Sequence, residues 1–582
     1  MARLDTDVLV VGAGPTGLTL GCDLSRRGIA CRIIDRAPAY HQKSRGKGIQ
    51  PRSLEILADL GAVEPVLTAG WARNFRVRWH VNQKLLTELR LPGRDPRPDV
   101  PYPNLVLLPQ WQTEHALRDR LAAFGGKVEL GCELESFVQD EHGVTATVRD
   151  VASGSGRQLR SRYLIGCDGG HSRVRDTLGL VLTGDTHQER FVFGDMEVDG
   201  LDSAAAYVWF EGDAYLAASP FPSQRAWQIQ ASIRPDEQGQ LRPASLELFQ
   251  QLVRERTGRV DVQLSNASWL SNFVSNVRMV DRYRVGRVFL AGDAAHIHSP
   301  AGGQGMNTGI QDAYNLGWKL GLVLRGQSAE SLLDTYEEER LPIAQAVLKG
   351  TDVGYQAVFS SNPVVTVLRE RALLPLLRVP RLQQAILSAS DQLDLNYRGA
   401  SLAKERRSAG PRVVGRLHEL RTVLSSVDWY RVMTSPRAGD RAPDAELHDL
   451  RTGAQIRLFD LLRGPHFTLV LFDSPTASHD EHQEMEATAD RIERLYGSDV
   501  HACLVLSRTD RSDQLSSDRV AAADPTHQAH RTYGAGGGGM CLIRPDGYVA
   551  MRARSLSDVA LDKYLSRILI CRGGRSSSDC DS

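Results

Sequence analysis

The residues that suggest chemistry stand where short apolar runs end. One run, residues 288–291, stops at Gly292-Asp293, and a loop with glycines in 302–305 then opens a segment with apolar residues at helical spacing. A carboxylate at a strand end can accept hydroxyl protons, and a helix N-terminus offers free N–H groups to an anion. Glycines let the backbone approach a ligand closely. The stretch favours a polar cofactor, although alone it also fits an ordinary strand-to-helix turn.

A second apolar run, residues 7–11, leads into Gly12-Ala-Gly14-Pro-Thr-Gly17 and an apolar-periodic helix. In the dinucleotide fingerprint the first glycine makes the tight turn, the second lets backbone reach a pyrophosphate, and the third lets helix and strand pack closely. Asp35 ends the next strand, 18 residues beyond Gly17, where a carboxylate would bind a ribose hydroxyl. This order predicts a bound dinucleotide, and it fits FAD and NAD alike.

Two further stretches bear on the same site. Residues 163–175 form another apparent strand that ends in Asp168-Gly169, either a common Asp-Gly turn capped by Ser172 or a third cofactor contact. Residues 43–52 are basic and contain glycine. They form either a solvated loop or a second cofactor wall, with Arg45 near the pyrophosphate or ribityl chain.

Residues 181–276 are rich in β-forming, aromatic-bearing stretches broken by one helix, which predicts an inserted sheet domain. Aromatic side chains there are candidates to line a substrate pocket, although aromatics at alternating strand positions are more often core. The candidates are Tyr207, Trp209, Phe221 and Trp227.

Composition excludes several classes of protein. The 582 residues exceed a single core, and 70 basic residues balance 70 acidic ones, which gives no sign of a nucleic-acid surface. No apolar run approaches the ~18 residues of a membrane helix. The eight cysteines form no CxxC pair, which fits a reducing cytosol better than disulfides or zinc. We expect a cytoplasmic protein with a small-molecule substrate and no metal, nucleic acid or membrane partner; a homodimer stays open.

With these motifs in hand, the chain resembles the class A FAD-dependent aromatic hydroxylases, flavoprotein monooxygenases with the para-hydroxybenzoate hydroxylase fold. It is most similar to the branch of phenol hydroxylase and the aromatic polyketide hydroxylases, which carry a thioredoxin-like C-terminal domain. The resemblance covers nearly the whole chain. In the C-terminal part it depends on residues 436–443 and on Arg544-Pro-Asp-Gly547. That part lacks a CxxC pair, so a structural or interface role is favoured over thiol redox chemistry.

The resemblance implies an α/β fold, with a Rossmann-type FAD-binding domain, an inserted β-rich substrate domain, a helical connection and the thioredoxin-like domain. The expected boundaries are 1–180 and 277–345 for the FAD-binding domain (with 74–108 contributing to the substrate region), 181–276 for the substrate domain, 346–427 for the helical connection and linker, 428–570 for the thioredoxin-like domain and 571–582 for a disordered tail.

Carried over residue by residue, the family also implies roles in the site. FAD-binding residues are Gly12, Gly14 and Gly17 with Pro15 and Thr16 of the same motif, Asp35 and Arg36 at the adenosine ribose, Arg45 and Gln112 in the groove, Gly292 and Asp293 at the ribityl chain, and Gly305, Met306 and Asn307 at the pyrimidine edge of the flavin. Asp168 and Arg173 belong to a motif linked with both FAD and NADPH. Candidate catalytic residues are Pro300, Gly303 and Gln304, in the loop against flavin and substrate.

The implied mechanism has three steps. NADPH (or NADH) reduces FAD, the reduced flavin takes O2 to a C4a-hydroperoxide, and this electrophile transfers OH to an activated phenolic or polyketide-like ring. The protein positions the ring and excludes water. The sequence has no second fingerprint for a nicotinamide domain, which agrees with a transient NADPH.

The sequence departs from the family at the base. Phenol hydroxylase has an acid in the segment corresponding to residues 43–50, and this chain has none. The base lies elsewhere, the substrate is already acidic, or the reaction is different. His296 and His298 are candidate bases, although structural or surface histidines are commoner. The alternatives are a Baeyer–Villiger or epoxidising monooxygenase, a flavin reductase without productive oxygen use, and a flavin-holding interaction protein that docks through its thioredoxin-like part.

Overall fold

The structure is a computed structural model. It describes residues 3–571 except 43, 45, 92, 213, 223–224, 236–239, 299–302, 360–361, 377–378, 380–381, 384, 386–387, 389, 404–434, 509–518, 555 and 557–558.

The N-terminal third contains β1 Thr6–Val11, α1 Pro15–Arg26, β2 Cys31–Asp35, β3 Gly48–Ile49, α2 Pro51–Leu60, α3 Val63–Ala69, β4 Phe75–Val81, β5 Lys84–Leu91, β6 Val106–Leu107, α4 Gln110–Ala123, β7 Val128–Leu130, β8 Cys132–Gln139, β9 Val144–Asp150, β10 Gly156–Gly166 and α5 Arg173–Thr177. The middle contains β11 Thr183–Asp199, β12 Ala205–Glu211, β13 Ala214–Pro220, β14 Ala226–Ile233, α6 Leu246–Thr257, β15 Gln263–Met279, β16 Arg284–Val285, β17 Val288–Leu290, β18 His296–Ile297, α7 Gly305–Leu324, α8 Asp334–Phe359, α9 Pro363–Leu368 and α10 Leu374–Leu376.

The C-terminal part contains β19 Glu446–Asp449, β20 Gln455–Arg457, α11 Leu458–Leu462, β21 Phe467–Phe472, α12 His479–Tyr496, β22 Val500–Leu506, β23 Ala521–Ala523, α13 Gln528–Tyr533, β24 Gly539–Ile543, β25 Val549–Ala553 and α14 Val559–Ile568. Short 3-10 turns lie at Gly292–Ala294, Glu330–Leu333 and Gly497–Asp499, and a π-helical turn lies at Arg369–Leu373.

The first sheet has the strand order β16-β17-β10-β1-β2-β7, in which β17, β10, β1, β2 and β7 run parallel. The middle of the sheet is apolar and fully buried, as expected for parallel strands covered on both faces, and includes Val8, Leu9, Val10, Ile34, Leu164 and Ile165. Parallel strands put their carboxyl ends on one edge of the sheet. The turns that follow β1, β2, β10 and β17, which carry the sequence motifs, therefore share that edge.

The second sheet has the order β18-β15-β11-β14-β13-β12-β4-β5 and is antiparallel except where β12 runs parallel to β4. Helix α6 covers one face of it. This helix begins after Ser245, whose side chain accepts a hydrogen bond from Leu248 N, and it ends at Gly258 in the left-handed conformation. β4 and β5 come from the N-terminal third of the chain and form the outer strands of this sheet.

The third sheet has the order β20-β19-β23-β22-β21-β24-β25, with β21, β22 and β23 parallel. Together the three sheets confirm the predicted fold class, a Rossmann-type part, a β-rich part and a C-terminal α/β part. The exact domain boundaries stay a prediction. The basic linker at 404–412 and the tail from residue 572 lie outside the described residues.

A buried charged cluster lies at the carboxyl ends of the parallel strands of the third sheet. Asp473 follows β21 and Asp524 follows β23, and both carboxylates are fully buried. His530 from α13 lies between them, with Nδ1 2.8 Å from Asp524 Oδ2 and Nε2 3.3 Å from Asp473 Oδ1. Burial disfavours charge on this ring, but the two carboxylates outweigh it and raise the pKa of His530 to about 9.

This cluster predicts that the C-terminal part becomes less stable at alkaline pH. Because the folded-state pKa of His530 is raised, its stabilising contribution is complete below the ordinary histidine pKa of about 6.5 and is lost as pH rises through about 9. Thermal unfolding measured from about pH 6 to pH 10 should show a falling Tm over that interval. His530→Gln should be less stable at neutral pH and should flatten the profile. A variant with the wild-type slope would contradict the assignment.

Candidate FAD site and relation to known proteins

The glycines of the turn between β1 and α1 let its backbone lie very close to neighbouring backbone atoms. Gly12 has φ +102°, and a Cβ there would lie 2.3 Å from the carbonyl oxygen of Cys167. A Cβ on Gly17 would lie 2.0 Å from the carbonyl oxygen of Gly12, so helix and strand pack as the fingerprint predicts. A Cβ on Gly14 would meet nothing within 4 Å. That open space lies at the N-terminus of α1, which no side chain caps, and it suits a pyrophosphate.

The carboxylate of Asp35 joins the ends of two neighbouring strands. Its Oδ2 accepts a hydrogen bond from Ala13 N (2.8 Å) and its Oδ1 accepts one from Ala37 N (2.9 Å). Remaining lone pairs can accept a ribose hydroxyl. Arg36 is exposed beside it. On α4, Gln112 Oε1 is buried and has no hydrogen-bond partner in the described part of the chain, as expected of an atom that a ligand satisfies.

The Asp168 turn closes on itself in this structure. Asp168 accepts hydrogen bonds from Ser172 Oγ (2.6 Å) and Val174 N (3.1 Å), so it holds the start of α5. Burial raises its pKa. Arg173 is exposed. These contacts are those of a capped Asp-Gly turn, and a role for Asp168 or Arg173 toward a nucleotide stays a prediction.

Arg175, which the sequence analysis did not select, connects two of the motifs. Its guanidinium donates to the carbonyl oxygens of Gly170 (3.0 Å) and Ala294 (3.3 Å). Beside Ala294, Asp293 is exposed while Gly292 is buried, so this carboxylate faces outward from an otherwise buried turn. The contact of Arg175 with Ala294 depends on the fold, so no local pattern in the sequence predicts it.

Helix α7 packs its N-terminal turns directly against the fingerprint. A Cβ on Gly309 would lie 2.4 Å from Thr16 Oγ1 and 3.2 Å from Gly292 Cα, so only glycine allows this contact. The helix begins at Gly305 after Gln304, without a side-chain cap. Its free N–H groups and dipole favour an anion there. Gly303, at φ +60°, is exposed beside this N-terminus.

Residues 44 and 46–50, together called the segment 44–50, lie across the start of α7. Asn307 Oδ1 accepts a hydrogen bond from Gln50 N (2.8 Å), and Asn307 Nδ2 donates to the carbonyl oxygen of Gly48 (2.9 Å). Gly46 N donates to Gln110 Oε1 (2.9 Å), and Met306 lies against Gly46. The segment therefore forms a wall of this edge. Arg45 and Pro300 lie outside the described residues, and their roles stay predictions.

The other end of this segment is held by the second sheet. Ser44 N donates to Asp195 Oδ2 (3.2 Å), and Gln228 Nε2 donates to the carbonyl oxygen of Ser44. Burial raises the pKa of Asp195 to about 6 and lowers that of nearby Lys47 to about 8. Asp195 is not among the site residues predicted from the sequence. An acid does contact the segment, but it comes from β11 on another sheet.

Comparison with known proteins places the chain in a family. The model of the FAD binding domain matches residues 5–351, and that of the aromatic-ring hydroxylase C-terminal domain matches 435–569. A flavin-dependent monooxygenase of Mycobacteroides abscessus is 41% identical over 80% of this chain and 88% of that protein. Pentachlorophenol 4-monooxygenase of Sphingobium chlorophenolicum is 33% identical over 94% of each chain. This chain belongs to the FAD-dependent aromatic hydroxylases.

Structural comparison agrees with membership of the FAD-dependent aromatic hydroxylases. A ternary complex of aklavinone-11 hydroxylase with FAD and aklavinone has a TM-score of 0.76 and 26% identity, over 98% of this chain and 100% of that one. The chain is thus an FAD-dependent monooxygenase with a reduced nicotinamide nucleotide and O2 as co-substrates. The open space at Gly14, the two uncapped helix N-termini and the unpaired Gln112 Oε1 fit FAD.

The predicted substrate residues of this hydroxylase pack as core. Tyr207, Trp209 and Trp227 are 4%, 4% and 2% exposed and share a cluster with the apolar side chains of α6. Tyr207 stacks on Trp209 at 5.3 Å. Phe221 is 5% exposed just beyond β13. Contact with substrate stays a prediction for these four, and the packing does not favour it for the three under α6.

The opposite face of the same sheet has its own aromatic cluster, which includes Phe191, Phe193, Phe210 and Tyr215. Because side chains alternate along a strand, Asp195 of β11 lies on this face with Phe191 and Phe193.

In the part of the chain that the structure describes, no helix is long and apolar enough to cross a bilayer.

Proposed function

We propose that this hydroxylase inserts one oxygen atom of O2 into a bulky phenolic, polyketide-like ring, with NADPH as its reductant. The observation that carries the proposal is the position of the segment 44–50, which joins the start of α7 to Asp195 on the aromatic face of the second sheet. An apolar aromatic wall with a few convergent polar groups suits a ring that bears a hydroxyl. The aklavinone complex supports a polycyclic substrate.

Each group has a proposed task in the site. Gly12, Gly14 and Gly17 with the start of α1 hold the pyrophosphate, and Asp35 holds the adenosine ribose. Asp293 holds the ribityl chain, and the N-terminus of α7 stabilises negative charge at the pyrimidine edge. When bound, FAD supplies hydride acceptance and oxygen activation. The segment 44–50 and the second sheet orient the ring and keep water away.

The remaining features of the proposal concern the whole chain. The domain boundaries follow the predicted divisions, and the C-terminal part is structural. Cytoplasmic action is supported by the cysteines, because the seven that the structure describes are all free thiols. A homodimer is compatible with the proposal, which does not require one.

The test is NADPH consumption by the FAD-loaded protein, in air and anaerobically. The panel contains anhydrotetracycline and aklavinone as polycyclic phenols, and phenol and pentachlorophenol as single-ring probes. Under ¹⁸O2 we expect faster NADPH oxidation with a polycyclic phenol and a product that carries one labelled oxygen on a ring carbon. Heat-denatured protein and NADH in place of NADPH are the controls.

Other outcomes separate the alternatives. A labelled oxygen inserted between two carbons, detected as an ester that alkali opens, would identify Baeyer–Villiger chemistry. Peroxide in equal amount to NADPH with every probe would identify an unproductive reductase. Preference for the single-ring phenols would refute the bulky substrate and leave aromatic hydroxylation in place.

A further inference from the structure

Two histidines and an aspartate form a buried hydrogen-bonded row. It lies between the second sheet and the edge of the first sheet that carries the sequence motifs, here called the cofactor edge. Asp312 Oδ2 is 2.7 Å from His296 Nε2, and His296 Nδ1 is 2.8 Å from His298 Nε2. His296 and Asp312 are fully buried, and His298 is 8% exposed. The far nitrogen, His298 Nδ1, is buried and has no hydrogen-bond partner among the residues that the structure describes. The row thus ends in an unsatisfied polar atom.

The other neighbours of Asp312 hold it in its ionised form. Arg340 Nε donates to its Oδ1 at 2.7 Å, and Gly292 N donates to its Oδ2 at 3.1 Å. Burial opposes ionisation, but Arg340 and His296 outweigh it and keep the pKa of Asp312 at about 2. Arg340 itself is fully buried and also donates to Tyr397 Oη and the carbonyl oxygen of Thr308. The carboxylate therefore only accepts hydrogen bonds.

The carboxylate fixes the direction of the first bond in the row. His296 Nε2 must carry the proton that Asp312 accepts, and with a single proton on that ring His296 Nδ1 has a lone pair. His298 Nε2–H donates to it. Burial holds the pKa of His298 well below its usual value, so the ring of His298 is neutral. His298 Nδ1 is then a bare acceptor.

The row is placed where it can meet a ligand of the cofactor edge. β18, which contains His296, pairs with the end of β15 and so joins the second sheet, while Asp312 bonds the Gly292 turn. The ring of His298 lies 3.6 Å from where a Cβ on Gly305 would stand, at the first residue of α7. Among the described residues, Tyr283 and Tyr336 are buried phenols near His296 and Asp312, and the buried thiol of Cys167 is also near Asp312.

We propose that His298 Nδ1 is the base that takes the proton from the ring hydroxyl of the substrate, with His296 and Asp312 as positioning residues. This rests on the proposed function. The ring O–H bond breaks and its proton binds His298 Nδ1. The proton on His298 Nε2 passes to His296 Nδ1, and the resulting cation lies against the Asp312 carboxylate. When the hydroxylated ring leaves, the same transfers in reverse return one proton to the ring oxygen.

The first test determines which ring nitrogens of His296 and His298 carry protons, and it needs no enzyme turnover. Protein with ¹⁵N-labelled histidine and bound FAD is examined by ¹H–¹⁵N NMR, and the two rings are assigned by loss of signals in His296→Gln and His298→Gln. At neutral pH we expect a proton on His298 Nε2 and a bare His298 Nδ1. A protonated Nδ1 on His298 would overturn the proposal. If one variant fails to fold, His298→Asn gives the assignment by the same loss of signal.

The second test separates a base from a structural residue. Removal of a general base slows the chemical step by about 100-fold or more. We expect His298→Gln to lower kcat for anhydrotetracycline hydroxylation by that factor at neutral pH with little change in KM, and activity to recover as pH rises and the ring ionises in solution. His479→Gln, an exposed histidine of α12, is the matched control and should behave as wild type.

The outcomes distinguish this proposal from the one on which it rests. A His298→Gln enzyme with the wild-type rate and pH profile would overturn the base and leave the hydroxylase intact. Wild-type protein that hydroxylates no phenol would overturn both. An equal loss of rate at every pH would assign His298 a structural role and so refute the proposal.

Discussion

Replacing Arg544 with methionine is expected to lower the free energy of unfolding by about 3 to 5 kcal/mol. Arg544 lies in the turn between β24 and β25, and its side chain is fully buried against Glu339 of α8, in the middle of the chain. It donates to Glu339 Oε1 and Oε2 at 2.5 and 2.9 Å and to Asp546 Oδ2 at 2.5 Å. Lys319 also donates to Glu339, at 2.8 Å. Without Arg544, two buried carboxylates share one buried cation, and this uncompensated charge destabilises the fold.

Denaturant unfolding, followed by fluorescence and by circular dichroism, gives the measurement. The control is Arg554→Met, since Arg554 is an exposed arginine just beyond the same hairpin and its loss should change stability by less than about 0.5 kcal/mol. Limited proteolysis should release the C-terminal part from the Arg544 variant first. If both variants unfold at the wild-type midpoint, the ion cluster does not hold the two parts together.

Replacing Gly14 with valine is expected to leave a folded protein that no longer retains FAD. Gly14 has φ −74°, and a Cβ there meets no protein atom within 4 Å, so the side chain enters only the open space at the start of α1. A hydrogen bond to a charged group is worth about 1.5 to 3 kcal/mol, so each such bond to phosphate that the valine displaces weakens binding roughly 10- to 100-fold.

The measurement is the ratio of flavin to protein absorbance after purification, followed by titration of apoprotein with FAD. Gly350→Val is the control, because a Cβ at Gly350 of α8 also meets nothing within 4 Å but lies far along the chain from the fingerprint. The control should keep its flavin. Equal flavin content in the two variants would show that the space at Gly14 does not hold the pyrophosphate.

Local patterns were sufficient for most of the fold. The apolar runs that precede Gly12 and Gly292 form β1 and β17, and the fingerprint has the predicted turn, because both depend on neighbouring residues. Helix α4 begins at Gln110, directly after its N-cap Pro109. Such boundaries depend on one or two residues and are the least certain part of a sequence interpretation.

The candidate site was harder to predict, because its walls come from distant parts of the chain. Alternation along β12 shows that Tyr207 and Trp209 share a face, but only packing shows that α6 covers that face. The contact between Asp195 and Ser44 joins residues from different sheets. The row from Asp312 to His298 brings a helix interior against a strand, and neither segment has a pattern that predicts the other.

The anchoring of the segment 44–50 has a consequence for how the protein acquires its site. Its contacts with Asp195, Gln228 and Asn307 join residues 151, 184 and 257 positions apart. Closing such long loops is slow, and during synthesis none of these partners exists when the segment leaves the ribosome. The segment 44–50 can therefore make all of these contacts only after residue 307 has been synthesised. We expect FAD to bind late in synthesis or after it.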